Sequence, residues 1–567
     1  MISSVKTLVK VIIFILPIQS IAQSTFIPQG SKEYRLIDRL EIKAQKNTNI
    51  IFSNFKSYNR KDVVEEALLL DSQKINPNGQ LVNSKLTSID QYNLQSLFQN
   101  NSEWVGNKKQ DYASKHVLVK SIYVSPSNFY EVNKKDFFLA VNPVLNFQLG
   151  KENSYDKKLY VNSRGLTFRG MIANKIGFSS TLIDNQERGP RFFQSQIKTL
   201  RAVPGMGFYK DFKEDASAND YFDARGYMTF SAVKYINFQL GYDKNFIGNG
   251  YRSLFLSDVG NSYLFAKINT KIWKFNYQNL FMELMPQFKK NGDSLLSRKY
   301  AVMHHLSINI NDWANIGLFE GVVFGRKNHF DFQYLNPIIF YRNIESMVGS
   351  PDNALAGLDF KINAMHHFQF YGQFLLDEFI LSKIKNSPSY WANKYGYQLG
   401  LKYIDAFGIK NLDIQTEINR VRPFTYSHKD SIANYTHYNQ ALAHPLGANF
   451  QEFIGIINYQ PFTKWNIYAK LMYYNKGLDT ANSNFGGDIF KIYTTRSTDY
   501  GNNLGNGNKA TCIDGMLLVT YEFKHNLYFD LSLQHRNYKL ASSPNTQNTT
   551  LYNAGVRLNL NRRNYDF

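Results

Sequence analysis

The chain has 567 residues, enough for several ordinary domains or for one large barrel with a small appendage. Its single cysteine, Cys512, excludes an internal disulfide framework and a thiolate metal cluster. The 65 Lys+Arg outweigh the 45 Asp+Glu by a formal charge of +20, which attracts polyanions such as anionic lipid, lipopolysaccharide phosphates or acidic polysaccharide. No zinc knuckle, helix-turn-helix or aromatic RNA-binding signature accompanies the charge, so nucleic acid is not expected as a partner. The aromatic fraction of 15% suits pleated strands and, above all, the aromatic girdles of a membrane barrel.

In chain order, Lys6 and Lys10 precede the apolar run Val11 to Leu16, and Ser20-Ile21-Ala22 places small residues where a signal peptidase reads them. Residues 1–22 are therefore expected to be a signal peptide, with Gln23 first in the mature chain. No later run approaches the 20 apolar residues of a transmembrane helix, and an exported chain without such a helix can still span a membrane as a closed barrel. Residues 23–130 read as a small helix-rich periplasmic segment. Ser31 is expected to cap a helix carrying Tyr34, Leu36, Ile37 and Leu40, a second helix starts near Arg60, and Thr87 with Asp90 forms a capping-box pair before a third.

Over 131–567 the period changes to two. Leu166, Phe168, Gly170 and Ile172 turn at Asn174-Lys175 into Ile176, Phe178, Ser180 and Leu182. Ile236 to Tyr242, Leu399 to Tyr403 and Leu412 to Ile418 alternate likewise, as do Trp465 to Tyr473 and the hairpin of Leu517 to Phe523 with Leu527 to Leu533. The alternate positions include Arg169, Lys402, Asp413 and Lys470, which suit a polar lumen better than a sandwich face. Tight hairpins alternate with long polar connections such as 184–220, 424–451 and 475–510, the rim asymmetry of outer-membrane barrels. The last strand carries Asn553-x-Gly555-x-x-Leu558-x-Leu560, which fits the signal read by barrel-assembly machinery. The fold expected is all-β: a transmembrane antiparallel barrel in the cell outer membrane, of roughly 14 to 18 strands.

From about residue 115 onward the chain resembles the Wzi capsule-assembly family, especially its RemB-like members from gliding bacteria. The likeness rests on six stretches taken in order: IGNGYRSLFLSD (247–258), YLNPIIFYR (334–342), DNALAGLD (352–359), YGQFLLDEF (371–379), VRPFTYSH (421–428) and HYNQALAHPLGAN (437–449). The resemblance implies about 18 strands, a helical periplasmic portion and lectin-like attachment of capsular polysaccharide at the cell surface. The RemB-like branch adds an association with gliding motility.

The 424–451 loop concentrates Tyr426, His428, Tyr435, His437, Tyr438, Asn439, His444 and Asn449. Aromatic faces take sugar C–H groups, and amides and imidazoles take hydroxyls, so these residues form a candidate glycan site. The alternative is a long loop packed on its own side chains. Arg252, Arg342 and Arg422 are candidates for uronate carboxylates; with Arg420 they equally suit pairing with Asp258, Glu345, Asp377 or Glu378 inside the barrel. His304-His305 and His366-His367 cannot chelate as pairs, because neighbours on a strand point to opposite faces. No nucleophile elbow, HExxH or P-loop is present, so neither catalysis, metal nor cofactor is expected. A glycan-binding surface barrel is the leading reading, with a porin or substrate-specific channel as the alternative.

Overall fold

The structure is a computed structural model and describes residues 23–45, 54–71, 86–114, 122–213, 216–287, 295–337, 340–349, 352–378 and 380–566. Residues 1–22, where a signal peptide is expected, lie outside that set. Eighteen antiparallel strands close into a barrel. They are β1 Phe137–Glu152, β2 Leu159–Ile172, β3 Ile176–Arg188, β4 Ala218–Val233, β5 Ile236–Asp243 and β6 Tyr263–Ile272. Next come β7 Phe275–Leu284, β8 Lys299–Asn309, β9 Ala314–Phe324, β10 Asn353–Ala364, β11 Phe368–Glu378 and β12 Lys394–Tyr403. The ring ends with β13 Leu412–Val421, β14 Phe450–Phe462, β15 Trp465–Leu478, β16 Asn508–Lys524, β17 Leu527–Leu540 and β18 Gln547–Leu558. Closure is made by β18 against β1, with Val556 opposite Phe147 and Leu558 opposite Leu145.

Each strand shows one face to lipid and one to the lumen, because successive side chains point to opposite sides. Leu399, Leu471, Leu517, Phe529 and Leu531 are exposed on the outer wall, whereas Arg169, Lys402, Lys470 and Gln398 are buried within. Exposed apolar side chains in such numbers are tolerable only against hydrocarbon. At one rim the turns are short, such as 173–175, 273–274 and 525–526; at the other the connections are long, such as 189–217, 325–352 and 479–507. Trp273, Trp313, Phe407 and Trp465 are exposed at the short-turn rim, an aromatic girdle of the kind that marks a membrane interface. Together these features make the chain an outer-membrane-type β-barrel. No helix among the described residues is long and apolar enough to cross a membrane.

The final strand stops two residues short of the expected Leu560. Asn559 adopts a left-handed φ of 52°, and residues beyond it turn back into the lumen. There the Tyr565 hydroxyl donates to Glu187 at 2.5 Å and the Lys470 ammonium lies 2.7 Å from Asp566. Those buried polar partners draw the tail away from the ladder that Leu560 would otherwise extend.

Three helices close the short-turn end: α1 Lys32–Ala44, α2 Arg60–Asp71 and α3 Ser88–Asn100. Thr87 and Asp90 make the reciprocal capping box on α3, while Ser31 stands at the α1 N-cap without a side-chain cap bond. The helices pack through Leu36, Leu40, Val64, Leu94 and Phe98 and dock on the lumen through buried charge. Lys361 of β10 pairs with Glu41 at 2.7 Å, both side chains fully buried, and Lys402 of β12 pairs with Asp38 at 2.8 Å. A two-residue strand, Phe55–Lys56, reaches deep enough to pair with Phe246–Ile247 of the β5–β6 connection.

Candidate functional site

From the long-loop side the lumen is filled by two connections, 244–262 and 422–449. Lumen-facing side chains of the wall capture their backbone. Gln373 accepts the Leu254 N–H at 2.8 Å and donates to the Ile247 carbonyl at 2.9 Å. Glu417 accepts the N–H groups of Tyr251 at 2.7 Å and Arg252 at 3.1 Å, and Asp377 accepts that of Tyr426 at 2.6 Å. Phe255 stacks on Phe319 with centroids 4.5 Å apart and lies against Gly357, where a Cβ would sit 2.4 Å from its ring. The two connections are then tied to each other: the Tyr426 hydroxyl donates to the Leu254 carbonyl at 2.8 Å and the Tyr435 hydroxyl to the Phe255 carbonyl at 2.6 Å. With the helices below, the barrel is occupied from both ends.

The residues expected to hold glycan lie mostly within this inner packing. Tyr426, His428, Tyr435, His437, His444, Asn449 and Arg252 are buried; Tyr438, Asn439 and Arg422 are half-buried, and Arg342 is exposed. His437 bridges the Met285 N–H at 3.1 Å and the Ser262 carbonyl at 3.1 Å, and burial pushes its imidazole down to about 4. His428 takes the Asp430 N–H at 3.3 Å. His444 meets Glu452 at 2.7 Å and accepts the Leu446 N–H at 3.1 Å. Asn449, at a left-handed φ of 58°, accepts the Gly505 N–H and donates to the carbonyls of Gly477, Phe485 and Asn506, so one amide knits three segments. The Tyr438 N–H donates to the Met285 carbonyl, and the Asn439 amide donates to the Leu200 carbonyl at the end of α4, Arg191–Leu200.

Arg252, Arg420 and Arg422 take partners other than those expected. Arg252 donates to the Asp566 carbonyl at 2.6 Å and lies 3.6 Å from Glu452. Arg420 reaches the Tyr397 hydroxyl, while Asp377 and Glu378 both take Lys394 instead. Arg252 thus finds its partners across the lumen, whereas Asp377 and Glu378 take a cation from the adjacent strand. The paired histidines also diverge: His305 faces Asp359 inside at 2.7 Å, His304 meets Tyr341 outside, and His366 and His367 bond the carbonyls of Lys43 and Ile404. Cys512 is buried.

What the long-loop rim offers to solvent is a different cluster. Lys383 on the short helix α6, Leu381–Asn386, donates to the Tyr500 hydroxyl at 2.7 Å and lies 5.4 Å from the Tyr390 ring centroid. The Tyr390 and Tyr500 rings are 5.3 Å apart. Beneath them the buried Trp391 packs on Tyr493 at 4.7 Å and carries the Arg496 guanidinium 4.0 Å from its centroid, so the faces open to solvent are those of Tyr390 and Tyr500. Tyr500 is 50% exposed. Arg422 joins the two loops that bear this cluster, donating to the carbonyls of Asn393, Tyr390 and Asn502 at 2.8, 3.4 and 3.2 Å. Its place is thus under the platform. A neighbouring cleft of about 660 Å³ is lined by Asp479, Thr480, Phe485, Asn508 and Ser542 among others. The sequence signal for the platform is the Tyr390-Trp391 pair and the aromatic and basic residues Tyr493, Arg496 and Tyr500 in polar loops.

No family model matches the chain, and no curated protein matches it in sequence. Among solved structures it is similar to Wzi of Escherichia coli, an outer membrane protein involved in group 1 capsule assembly and described as a carbohydrate-binding β-barrel. The two share 12% identity at a TM-score of 0.56, over 95% of this chain and 100% of that one. It also aligns with OprD of Pseudomonas aeruginosa at 8% identity and a TM-score of 0.40, over 74% of this chain and 95% of that one. The first likeness is one of fold: the same kind of barrel along nearly the whole of both chains.

Proposed function

We propose that this protein is an outer-membrane surface barrel that binds acidic or capsular polysaccharide, in a binding rather than a catalytic role. The observation that carries the reading is the platform of Tyr390, Trp391, Tyr493 and Tyr500 with Lys383 and Arg496 at the long-loop rim. Pyranose rings lay their C–H faces on aromatic rings, and sugar carboxylates pair with ammonium and guanidinium groups. The carbohydrate binding of the similar E. coli barrel supports it. Lumen filling by 244–262, 422–449 and the three helices weighs against the porin alternative, since a channel needs an open path. On this reading residues 1–22 direct export, 23–130 face the periplasm, and barrel-assembly machinery reads Asn553, Gly555 and Leu558. Arg422 supports the glycan surface from beneath, while Tyr438 and Asn439 take partners on Met285 and Leu200 rather than on the platform; a RemB-like part in gliding follows from surface polysaccharide attachment.

The test is calorimetric titration of purified protein with a uronate-containing polysaccharide. Tyr390→Ala/Tyr500→Ala is expected to weaken binding about tenfold or more, the loss of over 1 kcal/mol that marks an energetic anchor. Affinity unchanged by that pair, in a protein whose gel mobility still shifts on boiling, refutes the platform; stepwise conductance of wild-type protein in planar bilayers revives the channel.

A further inference from the structure

The described parts of the β9–β10 connection, 325–337 and 340–349, do not project from the rim. They lie over the outside of the wall, where Tyr334, Tyr341 and Ile344 pack on Tyr300, Val302, Val322 and Phe324. Tyr341 begins a short helix, α5 Tyr341–Met347. Under this strap the lipid-facing pattern fails. The outward register that carries Leu306, Leu318 and Ile308 elsewhere on β8 and β9 carries His304 and Glu320, with Asn279 opposite His304 on β7. Polar groups facing hydrocarbon are costly, and here the strap supplies partners. Tyr341 bonds His304, Glu320 accepts the Arg342 N–H at 3.2 Å, and the Tyr277 hydroxyl donates to the Pro337 carbonyl at 2.5 Å. Arg326 locks the base of the strap on Asp352 and Asp331 at 2.6 and 3.3 Å.

Its height follows from strand geometry. A residue in a strand tilted near 40° climbs about 2.5 Å, so the covered stretch from His304 to Tyr300 lies roughly 15 to 25 Å above the short-turn rim. The apolar band of such barrels is about 25 Å tall, which puts the strap at the level of the outer leaflet. The far side of the strap is apolar again: Phe332, Phe340 and Met347 are each 77% exposed. The acids of the strap are spoken for or buried, Asp331 and Asp352 by Arg326 and Glu345 by packing. Its exposed charges are Lys327 and Arg342.

We infer that the strap seats a phosphorylated glycolipid of the outer leaflet, with acyl chains against Phe332, Phe340 and Met347 and its phosphate groups drawn to the exposed cations Lys327 and Arg342. The strap thereby replaces bare wall with a lipid-binding surface beside the glycan-facing rim. The test is native mass spectrometry of the delipidated, detergent-purified full chain titrated with diphosphoryl lipid A, with phosphate-free lipid A and phosphatidylglycerol as comparisons. Wild type is expected to retain diphosphoryl lipid A at least tenfold better than either comparison lipid, and Lys327→Glu/Arg342→Glu to lose that preference while its gel mobility still shifts on boiling. Equal retention of diphosphoryl and phosphate-free lipid A by wild type overturns the inference, whatever the variant does. So does a wild-type dimer that Phe332→Ser/Phe340→Ser dissociates, which would assign the face to a second copy. None of these variants touches Tyr390 or Tyr500, so polysaccharide titration reports separately on the rim.

Discussion

Arg39 is the residue on which docking of the helical segment turns. From α1 its guanidinium meets Asp90 of α3 and Asp405 of the β12–β13 turn, each at 2.9 Å, and also bonds Asp413 at the foot of β13. Its side chain is 3% exposed and that of Asp90 is 0% exposed. Arg39→Met keeps the apolar stem and leaves these carboxylates to Lys43 and Arg35. Removing one partner of a buried ion pair costs about 3–5 kcal/mol where the charge left behind loses its compensation; here two cations remain for three carboxylates, which sets the loss toward the lower end of that range. That end corresponds to a docking equilibrium roughly a hundredfold weaker. Hydrogen exchange should therefore accelerate by about a hundredfold or more in 32–44 and 88–100, while the wall strands, whose ladder bonds do not involve Arg39, exchange as before. Acid should act through the same clamp. Burial pushes the Asp90 carboxyl up, but Arg39 and Lys43 overcome this and hold it well below the usual carboxylate range. A carboxylate depressed on docking contributes stability above its free value near 4 and loses it as pH falls toward the docked value, so exchange in α1 should rise only below about pH 4. Unchanged exchange in α1 of Arg39→Met would refute the clamp, and parallel acceleration in 422–449 would refute two independent closures.

The inner loop should respond in a higher pH window. With the His437 imidazole pushed down to about 4 by burial and a free value near 6.5, the opened loop binds the proton first, so closure weakens as pH falls from about 6.5 to about 4. Burial pushes the imidazoles of His428 and His444 down as well, so exchange in 422–449 should rise as pH falls through this window in wild type and rise less steeply in His437→Phe; a wild-type profile flat across the window would sink the assignment. On the outer wall, Leu399→Arg places a cation against hydrocarbon near mid-strand and should cost about 2–4 kcal/mol. Urea unfolding in lipid vesicles, followed by gel mobility, measures this, and a neutral outcome would contradict the assigned face.

The alternation that places Leu399 outside and Lys402 inside is written in adjacent residues, so the wall is legible before any fold is known. The Thr87–Asp90 capping box is equally local, and both partners lie within one turn. The long loops are another matter. Tyr426, Tyr435, His437 and His444 combine apolar area with hydrogen-bonding tips, and a sugar site and a dry interior both require that combination. Their fate is decided by Gln373, Asp377 and Glu417, lumen-facing residues of β11 and β13 whose captured carbonyls and N–H groups lie on other loops. The rim platform depends on the same kind of distant meeting, since Arg422 must bring 390–393 and 502 together before the Tyr390 ring can meet that of Tyr500. The strap leaves a fainter local mark: His304 and Glu320 occupy outward positions where the surrounding register holds leucine and isoleucine. A polar residue on the lipid side of a strand is an unsatisfied demand, and in this barrel its answer comes from a loop that begins beyond the next strand. Breaks in the outward pattern therefore locate covered wall, and they do so without any likeness to a known protein.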